Sequence, residues 1–308
     1  MSSLFAFPGQ GAQQPGMLQA LPAAPEVRAC LDEAAEVLGE DLARLDSAEA
    51  LRSTRAVQLC LLIAGVASAR LLLARSPAPD YVAGLSIGAY PAAVVAGALD
   101  FADALRLVAL RGELMQRAYP QGYGMTALQG LDLTTVEGLL AEAEGPVFIG
   151  NLNADNQIVI AGSDAAMTAV AERARALGAG LAKRLAISVP SHCPLLEAPA
   201  RELAAAFAEV PLRRPTLRYL SGTTARPIHD PERLRDDLAF NMCRVVDWHG
   251  TLRNAYERGV RLHIELPPGA VLSGLARRIF DPGTVIAFQG ARRDTLDALL
   301  RREVSRTR

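Results

Sequence analysis

The sequence has few cysteines, few aromatic residues and almost no net charge. Its 308 residues include 4 cysteines and 5% aromatic residues, and the formal net charge is -1. The cysteines form no CxxC pair and show no metal-ligand spacing, which predicts reduced, mostly buried thiols of a cytoplasmic protein without a bound metal. The balanced, interspersed charge gives no field that would attract nucleic acid.

The sequence also lacks a long uninterrupted apolar run. The longest, Leu59 to Ala74, is broken by Gly65, Ser68 and Arg70, so we expect a buried helix rather than a membrane span. Met1 to Gln10 has neither the basic region nor the apolar length of a signal peptide. The Arg-rich end from Leu300 to Arg308 predicts a solvated helix end.

The hydrophobic pattern predicts two lobes. Short buried strands alternate with helices before residue 124 and after residue 189, which is typical of a parallel α/β core. Between them the order is strand, helix, strand, strand, helix, strand, as in a ferredoxin-like module. We therefore expect an α/β-hydrolase-like large lobe from residues 1–123 and 190–308, and an inserted ferredoxin-like small lobe from residues 124–189.

The segment Gly84–Gly88 reads Gly-Leu-Ser-Ile-Gly and has the G-x-S-x-G form. It lies between a predicted strand and a predicted helix, which is the context that this motif requires. A sharp turn there would project the hydroxyl of Ser86, and the following helix N-terminus would favour a developing oxyanion. The alternative is an ordinary glycine turn.

A serine nucleophile needs a base, and the chain offers four histidines. His229 lies in a proline-rich loop, His249 in a predicted helix and His263 inside a predicted strand. His192 follows a strand end, where catalytic groups gather in α/β proteins, and is the best candidate. Cys193 beside it is a weaker alternative nucleophile.

Two further features suggest an acyl-transfer site. The glycine-rich turn Phe7–Gly11 follows a predicted strand, and its backbone N–H groups could form an oxyanion hole with the N–H of Ile87. Arg111 shares an apolar helix face with Met115, whereas Glu113 does not share that face. A buried arginine needs an anionic partner, so a substrate carboxylate is one candidate; a structural ion pair or a snorkelling surface arginine is the alternative.

Taken together, the chain resembles the malonyl-CoA:acyl carrier protein transacylases over nearly its whole length. Six motifs carry the resemblance in order, namely Phe7–Gln13, Gly84–Gly88, Arg111–Gln116, Asn151–Gly162, Val189–Cys193 and Glu265–Leu272. The fold of that family, an α/β-hydrolase-like lobe with a ferredoxin-like insertion, agrees with the order of elements deduced above.

The resemblance implies a role for each matching residue. Ser86 would be the nucleophile and His192 the base. The backbone N–H groups of Gln10 and Ile87 would bind the oxyanion. The substrate-binding residues would be Arg111 at the malonyl carboxylate, Asn153 in the cleft between the lobes, and Met115. No cofactor is implied, because the coenzyme A thioester is a substrate.

Three positions depart from the family pattern. Leu85 stands where a histidine is usual, and Pro267-Pro268-Gly269 replaces a common Gly-Pro-Gly. Asp247 stands where a neutral Gln or Asn often orients the histidine through its backbone carbonyl. Its carboxylate could take that role in a Ser86–His192–Asp247 arrangement, and a helix N-cap or a solvated charge is the plainer interpretation.

The stretch from Gly84 to Ala93 looks most like the transacylase subunit of bacterial malonate decarboxylase. That resemblance implies malonyl-CoA as donor and the thiol of the complex's small carrier subunit as acceptor. The near alternative is the malonyl transacylase of fatty-acid synthesis, with acyl carrier protein as partner. A serine thioesterase or esterase, and a non-catalytic carrier-docking subunit, remain further alternatives.

Overall fold

The computed structural model describes residues 2–305, and strands and helices are numbered along the chain. The large lobe contains a six-stranded sheet in which neighbouring strands are parallel except for the last pair. Its order across the sheet is β11 (Thr284–Ala287), β10 (Val260–Glu265), β1 (Ser2–Phe7), β2 (Tyr81–Gly84), β7 (Arg218–Leu220) and β8 (Pro227–Ile228).

Helices cover both faces of this sheet. Side chains alternate along a strand, so Phe5 and Phe7 of β1 enter one core layer, whereas Leu4 and Ala6 enter the other. The large-lobe helices are α1 (Pro25–Leu38), α2 (Leu42–Leu45), α3 (Thr54–Leu73), α4 (Ala89–Val95), α5 (Phe101–Ala118), α8 (Glu197–Phe207), α9 (Pro231–Phe240), α10 (Trp248–Glu257), α11 (Val271–Ala276) and α12 (Arg293–Ser305).

Helix α3 contains the long apolar run. By length and composition alone it is the one helix among residues 2–305 that could cross a membrane, but 89% of its most apolar window is buried inside the protein. The prediction of a buried helix is therefore confirmed. The predicted C-terminal helix end lies in α12, which ends at Ser305, and residues 306–308 lie outside the described part.

The small lobe has the predicted order β3 (Tyr123–Gln129), α6 (Leu133–Ala141), β4 (Val147–Ala154), β5 (Gln157–Ser163), α7 (Asp164–Ala176) and β6 (Leu181–Arg184). Its strands lie in the order β6-β3-β5-β4. The predicted fold class is thereby confirmed, while the lobe boundaries at residues 124 and 189 stay a prediction. The last predicted strand, 181–189, is shorter than expected and ends at Arg184.

One strand of the small-lobe sheet comes from the large-lobe half of the chain. Strand β9 (Val246–Asp247) pairs in parallel with Asn151 and Leu152 of β4. The sequence pattern did not predict this strand, because two residues carry no periodicity. The two lobes therefore share a sheet edge.

Candidate active site

Ser86 lies at a sharp turn between β2 and α4. Its φ of 57° is in the left-handed region, which is uncommon for a residue with a side chain. A Cβ added to Gly84 would lie 1.9 Å from the carbonyl carbon of Gly88, and one added to Gly88 would lie 2.2 Å from the Phe7 carbonyl oxygen. No side chain fits at either position, so both must be glycine. The predicted strand–turn–helix context of Ser86 is confirmed.

The glycine-rich loop after β1 packs directly against this turn. The N–H of Leu85 donates to the Phe7 carbonyl at 3.0 Å. A Cβ on Gly9 would lie 2.9 Å from the Leu85 carbonyl oxygen and 3.6 Å from the Ser86 Cβ. Gln10 follows at once, and its side-chain oxygen accepts a hydrogen bond from Gln58 at 3.2 Å. The loop is thus placed beside Ser86, as an oxyanion role for the N–H groups of Gln10 and Ile87 requires.

His192 is buried and held by two backbone carbonyls. Its own N–H donates to the Met242 carbonyl at 2.7 Å, and its Nδ1 lies 2.7 Å from the Asn241 carbonyl oxygen. Because a carbonyl can only accept, the neutral ring carries its proton on Nδ1 and leaves Nε2 with a free lone pair. Burial, and then the charge of Arg111, lower the pKa of His192 to about 4, so the imidazole is neutral at pH 7.

Arg111 is completely buried on α5 and has only neutral partners. Its guanidinium donates to Gln58 Oε1 at 2.7 Å, to Asn241 Oδ1 at 3.0 Å and to Ser86 Oγ at 3.3 Å. Within residues 2–305 no carboxylate pairs with it, and its Nε has no hydrogen-bond partner. A buried charge without a counter-ion is costly, so the site is suited to an incoming anion.

Arg111 does not form a structural ion pair with Glu113 or with any other carboxylate among residues 2–305. Glu113, two residues along the helix, pairs instead with Arg55 at 2.9 Å. Arg55 also pairs with Glu40. The alternative of a structural ion pair for Arg111 is therefore wrong.

Asn241 contacts Arg111, Ser86 and His192. Its side-chain oxygen accepts from Arg111, its side-chain N–H₂ is 3.5 Å from the Ser86 carbonyl oxygen, and its own carbonyl faces His192 Nδ1. Sequence reasoning missed this residue, because it lies in a 3₁₀ turn, Asn241–Cys243, after α9. The family resemblance implied a neutral Asn or Gln whose carbonyl orients the histidine, but we placed that position at residue 247, six residues after Asn241. Gln58 was also missed, although a polar residue directly before the apolar run of α3 was a signal.

Asp247 does not orient the histidine. Its carboxylate accepts the Gly250 N–H at 2.8 Å and caps the start of α10. The proposed contact with His192 is wrong, because the Asn241 carbonyl already occupies Nδ1. The helix N-cap interpretation is confirmed.

The other two predicted substrate-binding residues differ in position. Met115 is fully buried, and its sulfur accepts a hydrogen bond at 3.3 Å from Gln58, which also holds Arg111. Asn153 lies on β4 in the small lobe, half-buried, and its Oδ1 has no partner among the described residues. Met115 thus contacts a partner of Arg111, whereas Asn153 has a buried side-chain oxygen without a partner among the described residues.

The competing nucleophile and bases lie elsewhere or are inactive. The Cys193 thiol donates to the Pro190 carbonyl, and burial raises the pKa of that thiol to about 11, so little thiolate exists at pH 7. His263 is buried against Phe280, and burial lowers its pKa to about 4. His249 Nε2 lies 3.0 Å from Asp155. Among residues 2–305 no group of three His, Cys, Asp or Glu side chains could hold a metal ion.

A two-lobed α/β fold with a serine on a strand–turn–helix, a neutral imidazole and a buried guanidinium defines a class of acyl-transfer proteins. Residues 4–306 match the family model described as "Acyl transferase domain", and the chain belongs to that family. The chain is an acyltransferase.

Several known proteins are similar over nearly the whole length. The chain is 39% identical to the malonyl CoA-acyl carrier protein transacylase of Escherichia coli K12 over 292 residues, 92% of this chain and 94% of that protein. A solved acyl carrier protein S-malonyltransferase from Vibrio cholerae superposes with a TM-score of 0.90 at 36% identity, over 97% of this chain and 100% of that one. A malonyl-transacylase solved in complex with its type II PKS acyl-carrier protein gives a TM-score of 0.88 at 36% identity, covering 93% and 94%.

Proposed function

We propose that this acyltransferase moves a malonyl group from coenzyme A to the thiol of an acyl carrier protein, through a malonyl-serine intermediate on Ser86. One observation carries the proposal. The buried Arg111 guanidinium lies 3.3 Å from Ser86 Oγ and has no carboxylate partner among the described residues. A malonyl group bound to Ser86 would bring a carboxylate to that charge, and the planar guanidinium suits a bidentate pair.

In the first half-reaction, Ser86 Oγ attacks the thioester carbonyl carbon while His192 Nε2 accepts the hydroxyl proton. The neutral imidazole supplied by its lowered pKa is ready for this step. The C–S bond then breaks, coenzyme A leaves as thiol with the proton from His192, and malonyl-Ser86 remains. In the second half-reaction His192 takes the proton of the carrier thiol as its sulfur attacks the ester carbonyl carbon. The C–O bond to Ser86 then breaks, and His192 returns the proton to Ser86 Oγ.

The oxyanion formed in each half-reaction is assigned to the backbone N–H groups of Gln10 and Ile87. The tight packing of Gly9 on Leu85 supports this assignment, because it brings the glycine-rich loop beside the serine. Donors of this kind contribute roughly 3–4 kcal/mol each to transition-state stabilisation. Asn153, on β4 of the small lobe, is assigned to the arm of the thioester in the cleft, and Met115 to the floor behind Gln58.

An acyl carrier protein is the better supported acceptor. The relatives are named for acyl carrier protein, and one related structure contains an acyl-carrier protein bound to its transacylase. No relative reported above is named for malonate decarboxylase, so the carrier subunit of that complex becomes the second choice of acceptor.

Intact-mass spectrometry tests the proposal directly. The protein is mixed with malonyl-CoA, its mass is recorded, and holo acyl carrier protein is then added. We expect one malonyl adduct, absent from Ser86→Ala, that is stable in buffer and moves to the carrier. An adduct that decays equally fast without carrier would support a thioesterase or esterase, and the absence of any adduct would support a non-catalytic docking subunit.

A further inference from the structure

A buried carboxylate outside the reacting groups has an unusual set of partners. Asp237 lies on α9 with 4% of its surface exposed. It accepts hydrogen bonds from three hydroxyls, namely Tyr219 at 2.9 Å, Ser221 at 2.6 Å and Thr223 at 2.6 Å, and it forms no ion pair with any residue from 2 to 305. Burial raises the pKa of this carboxyl, and the three hydroxyl donors oppose that rise. The proposed chemistry uses none of these four side chains.

The network is joined directly to the turn that holds His192. The Asn241 N–H donates to the Asp237 carbonyl at the end of α9. Within that turn, the carbonyl of Asn241 holds the ring of His192 and the carbonyl of Met242 holds its backbone N–H. A shift of α9 is therefore passed to the imidazole without any intervening flexible segment.

The other end of the network is joined to β2, the strand that leads into the Ser86 turn. Ser221 and Thr223 lie in the loop after β7, and β7 pairs with β2. Between them, Gly222 approaches β2 so closely that an added Cβ would lie 2.9 Å from the Gly84 carbonyl oxygen. A second tie, the Tyr90 hydroxyl to the Leu238 carbonyl at 3.0 Å, joins α4 to α9.

We propose that Asp237 is a positioning residue that fixes the imidazole of His192 relative to Ser86. Its carboxylate binds three hydroxyls on β7 and the loop after it, beside the strand that leads to Ser86. These hydrogen bonds hold that region against α9, the helix that ends at the turn contacting His192. This inference rests on the proposed function, in which His192 is the base. A displacement of about 1 Å can slow an enzymatic step by roughly 100-fold. The network can therefore affect the acylation rate without contacting the substrate.

The test uses Asp237→Ala, which removes all three acceptor contacts, and Asp237→Asn, which keeps the shape and one acceptor oxygen. The ring N–H of His192 is followed by NMR on protein labelled with ¹⁵N-histidine, with the signal assigned by His192→Ala. We expect Asp237→Ala to shift or broaden that signal and to slow single-turnover acylation by malonyl-CoA by about 10- to 100-fold. Apparent malonyl-CoA affinity should change less than the rate, and Asp237→Asn should recover most of both readouts.

Glu265→Gln is the matched control, because Glu265 is also fully buried and accepts the N–H groups of Leu272 and Ser273, away from the Asn241 turn. It should lower Tm without moving the His192 signal. If Asp237→Ala behaves in the same way, with an unchanged ring signal and rate, Asp237 only stabilises the fold and the inference is wrong.

Two further variants, Ser221→Ala and His192→Ala, test the inference if Asp237→Ala does not fold or if the proposed base is wrong. If Asp237→Ala does not fold, Ser221→Ala removes one hydroxyl donor and should give a smaller change in the same direction; no change in the ring signal or the rate would reject the inference. If His192→Ala acylates at the wild-type rate, the proposed base is wrong. The NMR arms then still show whether Asp237 sets the position of the imidazole.

Discussion

The guanidinium of Arg111 donates to the hydroxyl oxygen of Ser86 at 3.3 Å from a completely buried position. Its remaining bonds go to the neutral side chains of Gln58 and Asn241. A positive charge this close to a hydroxyl oxygen, without a carboxylate partner among residues 2–305, is suited to binding an anionic acyl group.

Arg111→Ala should therefore separate malonyl from acetyl transfer. We expect kcat/KM for malonyl-CoA to fall on the order of 100-fold, because the acyl carboxylate loses its charged partner, while acetyl transfer is spared or improved. Steady-state rates with both donors measure the ratio. Arg55→Met, which removes an arginine already paired with Glu40 and Glu113, should leave the ratio unchanged. Equal losses for both donors after Arg111→Ala would reject the carboxylate role.

The pH dependence of acylation should reflect the lowered pKa of His192. The imidazole must be neutral to accept the serine proton, and its pKa is about 4. We expect the single-turnover acylation rate to stay nearly constant from about pH 8 to pH 5 and to fall as the pH approaches 4. A fall centred near the ordinary histidine value of 6.5 would contradict a buried, carbonyl-held ring. Circular dichroism at each pH checks that the protein stays folded.

His263→Phe should stabilise the protein, most strongly in mild acid. His263 is buried, neither ring nitrogen has a hydrogen-bond partner in the described part of the chain, the ring packs on Phe280, and burial lowers its pKa to about 4. Since the unfolded ring binds a proton near pH 6.5 and the folded ring does not, wild-type stability falls as pH drops from about 6.5 to 4. Urea unfolding of both proteins should show a difference of about 1 kcal/mol at pH 7 that grows toward pH 5. A difference that is constant with pH would contradict this account.

Asp247→Ala should affect stability and leave the chemistry unchanged. The carboxylate caps α10 through the Gly250 N–H, and losing such a cap costs about 1 kcal/mol. We expect a lower unfolding midpoint, a nearly unchanged acylation rate at 25 °C, and recovery of the midpoint in Asp247→Asn. A rate loss comparable with that of His192→Ala would restore the carboxylate to the site.

The parts of the site that depend on local backbone geometry could be predicted from the sequence. A serine between glycines after a strand has few alternative conformations, so the turn at Ser86 was predictable. The apolar helix face indicated that Arg111 is buried, but it left a structural ion pair open, so the absence of a carboxylate partner among residues 2–305 was seen only in the structure. The resemblance implied a backbone carbonyl beside His192, but its assignment to Asn241 was not predictable, because a backbone acceptor leaves no trace in residue type. The same holds for the Asp237 network, whose members are ordinary polar residues until α9 and the β7 loop meet.

The two-residue strand Val246–Asp247 completes the small-lobe sheet from the far end of the chain. Residues 124–189 expressed alone would therefore expose the backbone of Asn151 and Leu152 along an unprotected edge, which favours self-association. The insertion is continuous in sequence but not self-sufficient in hydrogen bonding. Truncations that stop before residue 246 should consequently yield aggregates rather than a soluble half-protein.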